Sequence, residues 1–377
     1  MKNKRWSVLI PALALALCLA LAGCGLEPFR EEIKGSGVLR ETRLPLAASA
    51  NGYTLRIDGI STRELRGGFA PKLVIDESLE RAAVLETDNN ILHRLELGFD
   101  PATGEIRLSA PRNTVFSLTK LTLTVGAPVR ELRTDGLWDI SYDCPSVKAC
   151  KLAADGTLNG GFALGALDSL DMNFGGFSDI SLNCQGVRAC KLAADGTLNG
   201  EFELGAVDSL SMDFSGYSDI DLNCQSVRDC RVRADGTLNG GLDFGEAERL
   251  DMKFGGFSDI RLNCQSVLDC KVRADGTLNG DFSLGEADRL DLSLSGMSTL
   301  SVRGAAKRAV FELEGGEISA FDLTAQEAAV TIRGIGGCEI TAEASLDAVI
   351  DGGGSITYAG SPKITQRIEG LGSVRAR

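Results

Sequence analysis

The sequence predicts an all-β protein: a parallel, right-handed β-solenoid (β-helix) of about thirteen coils of ~20 residues, with a β-rich N-terminal cap. Three observations carry this. First, Ala154-Asp155-Gly156-Thr157-Leu158-Asn159-Gly160 recurs at Ala194, Ala234 and Ala274, and Ser178-Asp179-Ile180 recurs at Ser218 and Ser258, each time 40 residues on. Second, the two motifs interleave at half that period. Glycines punctuate the chain every 20 residues from Gly136 to Gly296, then more loosely at Gly315, Gly334, Gly352 and Gly370. Third, apolar residues alternate with polar ones, as in Leu170, Met172, Phe174 and then Ile180, Leu182 beyond Gly175-Gly176. Period two is the signature of a strand with one buried face, and a helix needs spacings of three and four. Two short strands and two corners per unit make one coil, and such a stack is a rod roughly 60 Å long at about 4.8 Å per coil.

In a solenoid, residues 20 apart lie one above another, which tests the register. Phe174, Ala194, Phe214, Ala234, Phe254 and Ala274 form an inward row that alternates large and small, so rings fill the space left by methyls. Met172, Leu192, Met212, Val232, Met252 and Val272 form a wholly apolar row. On the surface, Lys151, Asp171, Lys191, Ser211, Arg231, Asp251, Lys271 and Asp291 nearly alternate in sign. So do Lys148, Asp168, Arg188, Asp208, Arg228 and Glu248, with Asp288 and Arg308 further on. Opposite charges on neighbouring strands stabilise a sheet by about 0.2–1 kcal/mol per pair, and like charges oppose it.

Ahead of the coils the pattern divides the chain. Residues 1–23 read as a lipoprotein signal peptide. Lys2, Lys4 and Arg5 are followed by an apolar run from Val8 to Ala22, too short for a comfortable span and right for an export signal. Leu21-Ala22-Gly23-Cys24 resembles the bacterial lipoprotein box, which implies that Cys24 is lipidated and holds the exported protein on a membrane. The expected place is the cell envelope, on the periplasmic side or exposed at the surface. Residues 24–37 read as a polar, lipidated tether and 38–130 as the N-terminal β region. Val74, Leu85, Ile106, Leu121 and Leu123 mark strands there, and Asp88-Asn89-Asn90 and Asp100-Pro101-Ala102-Thr103-Gly104 mark turns. Residues 131–377 hold the solenoid.

Composition narrows the function. The 377 residues carry a net charge of -13, against nucleic acid as a partner, because affinity for phosphate comes from Lys and Arg. The single His, His93, removes His-based metal sites and Ser-His-Asp chemistry. No phosphate loop or nucleophile elbow occurs, and coils of 18 to 20 residues leave no long loop to wall a cleft. A non-enzymatic module without cofactor is expected, with a polysaccharide-active enzyme as the weaker alternative.

The start and end of the chain resemble a known family. Arg40-Glu41-Thr42-Arg43 and Asp88-Asn89-Asn90-Ile91 contribute. The closing segment is more specific: Asp351-Gly352-Gly353-Gly354, Tyr358-Ala359-Gly360-Ser361-Pro362, and Gly370-Leu371-Gly372. Over about residues 38 to 375 the chain resembles the putative auto-transporter adhesin, head GIN domain family, a domain of unknown function. The resemblance implies an envelope protein with a β-solenoid-like fold, an adhesin-like or structural role and no catalytic residues. The near-identical 40-residue copies and their cysteines depart from the family pattern.

Those cysteines are Cys144/Cys150, Cys184/Cys190, Cys224/Cys230 and Cys264/Cys270, always Cys-x5-Cys, with Cys338 left over. Each pair falls at two inward positions flanking a corner, so a disulfide across that corner is expected in an exported protein. Buried reduced thiols are the alternative, and two ligands without His do not make a metal site.

One row lies just after the corner glycines: Leu137, Thr157, Phe177, Thr197, Tyr217, Thr237, Phe257, Thr277, Met297. Beside it run Asp139, Asn159, Asp179, Asn199, Asp219, Asn239, Asp259 and Asn279. The expected arrangement has the rings folded over the corner as core and the Asp/Asn row as a ladder steadying the turns. In the alternative, Phe177, Tyr217 and Phe257 face out beside Asp179, Asp219 and Asp259, forming a face for an extended glycan or a strand-like partner. Calcium on the Asp row is a weaker option, since its ligands would come from separate coils.

Overall fold

The computed structural model describes residues 31–49, 52–62 and 70–377. The expected leader, residues 1–23, and Cys24 lie outside these residues. β12 (Leu137–Cys144) and β13 (Ala149–Ala154) form the two sides of the first regular coil. From β14 (Thr157–Phe174) to β20 (Thr277–Leu294), seven strands of 18 residues each run round nearly a whole turn and break at the glycine corner. Neighbours pair in parallel with a step of 20, for example Asp179 on Asn199 and Phe174 on Ala194. β21 (Thr299–Gly352) continues through almost three turns. β22 (Ser355–Ala359), β23 (Lys363–Gly370) and β24 (Ser373–Ala376) close the series with a step of 18, Gly337 on Ser355 and Ser345 on Lys363. The parallel β-solenoid is therefore the fold. The thirteen corner glycines enclose twelve complete turns, and β24 begins another.

Close approach explains the corner glycines. A Cβ built on Gly216 would fall 1.9 Å from the carbonyl oxygen of Gly196 in the coil beneath. Stacked corners have no room for a side chain, so each coil repeats the residue.

The core follows the alternation. Phe174, Phe214 and Phe254 are fully buried between the small Ala194, Ala234 and Ala274, and the Met172 row is buried throughout. A second row alternates buried Leu198, Leu238 and Leu278 with buried Ser178, Ser218 and Ser258. Here too a small residue makes room for a large one. On the surface the expected ion pairs form between coils, Arg188–Asp168 at 3.1 Å and Arg228–Asp208 at 3.7 Å. One expected partner is corrected. The pairing loses a residue between Leu284 and Glu286, so Arg308 lies opposite Arg289. Lys307 takes Asp288 instead, at 2.6 Å.

At the N-terminal end, segments distant in sequence prolong the two sides of the rod. On β12 stacks β5 (Lys72–Asp76), and on β5 stacks β10 (Leu121–Val125), both parallel. β6 (Ala82–Asp88) and β2 (Leu39–Pro45) finish that side antiparallel. On β13 stack β11 (Val129–Thr134), β3 (Tyr53–Asp58) and β8 (Glu105–Ser109), and β7 (Glu96–Asp100) finishes antiparallel. Both antiparallel closures end the coil-on-coil register. A strand falls inside the segment expected as a polar tether up to Gly37. Glu31–Lys34 forms β1 and pairs in parallel with β9 (Thr114–Ser117), which also takes β4 (Ser61–Thr62). The expected turn at Asp88-Asn89-Asn90 is a helical turn, α1 (Asn89–Leu92). Asp88 itself is buried and accepts the main-chain N–H groups of Gly37 and Thr119, each at 2.7 Å. The other expected turn holds: Asp100 accepts from Ala102 N–H at 2.9 Å and Thr103 Oγ1 at 2.8 Å. These donors hold its carboxyl below the usual range, the Ala102 N–H most.

Candidate functional site

The aromatic row faces solvent, not the core. Phe177, Tyr217 and Phe257 are 50%, 48% and 52% exposed. The expectation that they fold over the corner is corrected by the packing: the inward position beside each ring is already filled by Ser178, Ser218 or Ser258, all fully buried. Strand alternation then turns the preceding residue outward. The rings alternate in register with the half-buried Thr197 and Thr237, so consecutive aromatics stand two coils apart, about 9.6 Å.

The row is longer than the repeats. Leu137 and Met297 continue it, 37% and 83% exposed. Ile335 and Leu371 are 84% and 96% exposed and follow corner glycines of the same column, since Gly352 packs on the Gly334 carbonyl and Gly370 on that of Gly352. A fixed step of 20 passes over them because the last coils shorten. Their place directly after Gly334 and Gly370 is the signal that finds them. One corner of the rod thus offers a large apolar side chain at nearly every second turn along its length.

Beside this edge, Asp179, Asp219 and Asp259 are exposed, and Asn159, Asn199, Asn239 and Asn279 are half-buried. The Asp and Asn residues stack alternately, Asp219 between Asn199 and Asn239. The buried Oδ1 atoms of Asn159 and Asn239 have no hydrogen-bond partner among the described residues. Around Phe257 the surface dips into an open cleft lined by Asn239, Gly240, Asp259, Arg261 and Asp281. Arg261 reaches Asp221, two coils below, at 3.8 Å. It passes the bare backbone of Gly241, whose N–H donates to the same Asp221 carboxylate at 3.0 Å. A side chain at 241 would crowd both groups.

Charge is divided between the two sides of the rod. In the eight coils from Leu137 to Gly296, the half-coils beginning at the aromatic/Thr row contain twelve carboxylates and one base, Arg261. The other half-coils contain fourteen carboxylates and twelve bases, and most of the ion pairs between coils form there. The side next to the exposed rings therefore carries most of the net negative charge. Among the described residues no group of three or more His, Cys, Asp or Glu is placed to hold a metal ion. No helix among them is long and apolar enough to cross a membrane. His93 is exposed at the end of α1, away from the edge.

The bridges expected between Cys144 and Cys150, Cys184 and Cys190, Cys224 and Cys230, and Cys264 and Cys270 are not formed in the structure, where these thiols are free and buried. The first thiol of the repeated pairs is turned to main-chain carbonyls of its own corner. Cys184 donates to Gly165 and Gly186, both at 3.4 Å, and Cys264 to Ser266 at 3.1 Å. Cys150 donates to the Tyr142 hydroxyl at 3.6 Å. Burial pushes the thiols of Cys144 and Cys190 up to about 12 and that of Cys224 up to about 11, well above the ordinary 9.0. They are packing groups, with little thiolate at neutral pH.

Comparison with known proteins covers part of this architecture. Solved structures that match include a protein described as a "putative adhesin" from Parabacteroides merdae ATCC 43184, at 14% identity over 92% of this chain and 99% of that one, with a TM-score of 0.27. Another is described as a "putative lipid binding protein" from Parabacteroides distasonis ATCC 8503, at 15% identity over 92% and 100%, also with a TM-score of 0.27. No curated protein matches. A family model described as "Putative auto-transporter adhesin, head GIN domain" matches residues 256–362, which take in the last copies of the repeat and the Tyr358-to-Pro362 corner. Over those residues the chain is similar to the head GIN domain family, as its closing Gly-rich run implied.

Proposed function

We propose that the protein is a non-enzymatic, lipid-anchored rod of the cell envelope, held by Cys24, that recognises an extended glycan along its aromatic edge. The observation that carries this reading is the exposure of Phe177, Tyr217 and Phe257 at a fixed two-coil pitch beside rows of Asp and Asn. An exposed ring offers an apolar face to the C–H face of a sugar, and carboxylates and amides beside it accept and donate to its hydroxyls. A repeating ligand suits a repeating edge, because each two-coil unit adds a similar contact. The adhesin-like family match over residues 256–362 supports a binding role at the envelope. The excess of carboxylates on this side selects against uronate-rich or sulfated chains and favours neutral or amine-bearing ones.

The test is a glycan array probed with residues 25–377 and with a triple variant in which Phe177, Tyr217 and Phe257 are Ala. Binding of neutral or amino-sugar polymers, lost in the triple variant, is expected. No binding by the unaltered protein overturns the glycan reading. The rod then serves as a spacer or as a module for a protein partner.

A further inference from the structure

We infer that β23 is a self-complementary edge through which two copies of this chain pair antiparallel, tip to tip. β23 pairs on one side with β21, in parallel, and its other edge carries no strand among the described residues. Its core-facing residues are left partly bare. Ile364 and Ile368 are 38% and 39% exposed, whereas Leu346 and Ile350, their counterparts one coil earlier, are buried. An unpaired strand with apolar residues on its inner face is a template for another strand.

The sequence of β23 says which strand fits. Lys363, Ile364, Thr365, Gln366, Arg367, Ile368 and Glu369 read symmetrically about Gln366. An antiparallel partner copy centred on Gln366 places Ile364 opposite Ile368 on the inner face. The same register places Lys363 opposite Glu369 on the outer face. A two-fold axis makes each contact twice, as a closed dimer requires. Shifting by two residues either way, the smallest shift that keeps inner residues inward, sets Lys363 against Arg367 or Arg367 against its own copy. Like charges directly opposite destabilise a strand pair. One register therefore satisfies both faces and its neighbours do not. Glu369 pairs with Arg367 at 3.7 Å on the exposed strand, and Lys363 of a second copy would join this pair.

The opposite end of the rod closes with the antiparallel β2 and β7, and the described chain enters there through β1. If Cys24 is the anchor, β23 lies at the end of the rod away from it, and tip-to-tip pairing joins rods rooted on facing membranes. That consequence rests on the proposed anchor; the pairing itself does not.

Sedimentation of residues 25–377 over a range of concentrations tests the pairing. A monomer–dimer equilibrium is expected. Lys363→Glu weakens it about tenfold or more, because Glu then faces Glu. Adding Glu369→Lys to that variant restores it, since the swapped charges again face each other. Circular dichroism and thermal melting of each variant confirm that the exposed substitutions leave the fold intact. A protein that stays monomeric up to about 1 mM overturns the inference. So does a dimer indifferent to Lys363→Glu, or one that the swap does not restore.

Discussion

The side-chain amide of Asn239 donates to the Tyr217 hydroxyl at 3.3 Å, tying a ring of one coil to the amide row of the next. The bond is diagonal, since Asn239 stacks on Asp219 and Tyr217 on Thr237. It holds the ring on the outside of the corner, leaning towards the Asp/Asn row. The aromatic edge and the polar rows beside it are thus one surface.

Exposed and buried rings should separate cleanly in stability. Replacing Phe177, Tyr217 and Phe257 together by Ala removes side chains about half exposed, and unfolding in urea should shift by about 1 kcal/mol or less per site. Phe214→Ala alone empties a fully buried position and should cost about 3–5 kcal/mol. Comparable losses from both variants would mean that the edge rings belong to the core.

The corner at 216 should reject even a methyl group. Gly216→Ala sets a Cβ against the Gly196 carbonyl and forces the corners apart, at about 1–3 kcal/mol. Gly37→Ala, with nothing within 4 Å of its Cβ but a φ of +76°, should cost less, about 1 kcal/mol. Thermal melting of the two variants gives the comparison.

The buried thiols predict a fall in stability at high pH. In the unfolded chain they lose protons near 9.0, whereas in the folded protein Cys224 holds its proton to about 11 and Cys144 and Cys190 to about 12. Between pH 9 and 12 the folded state binds more protons, so stability drops as pH rises through that window and is unaffected by these groups below it. The same burial should make them slow to react with a thiol reagent at pH 8 until the protein is denatured. Rapid native labelling of all nine would contradict the packing. So would a mass that rises on reduction, the mark of bridged cysteines.

Asp88 should hold the N-terminal end together. Its carboxylate takes two main-chain N–H groups, and Asp88→Ala leaves Gly37 and Thr119 without that acceptor. A loss of about 2–4 kcal/mol is expected, and hydrogen exchange should show it first at β2 and around Thr119.

Much of this molecule could be read from residue order because a solenoid stacks equivalent positions. A repeat of 20 puts Phe174 over Ala194 and Asp168 beside Arg188 whatever the details of the corner, so fold, core rows and charge ladder follow from period alone. Where the period slips, the reading slips with it. The residue lost near Gly285 exchanges Arg308 for Lys307 as the partner of Asp288, and the shortened last coils conceal Ile335 and Leu371. The N-terminal end was legible as strands but not as order, because β5, β10 and β6 pair across long sequence separations that no repeat records.

The sequence by itself determined the coil, its register, its buried rows and its acidity, since these depend only on alternation and spacing along the chain. Tertiary structure alone decided which way the corner residues point. Phe177 and Ser178 open the strand beyond the glycine corner, where residue type favours the ring as the buried one, and only the space left by the coils above and below shows which of the two is inside. That space admits the serine and sends the ring outside. The first thiol of each repeated cysteine pair likewise meets carbonyls that spacing along the chain does not reveal, as Cys184 does at Gly165 and Gly186 and Cys264 at Ser266.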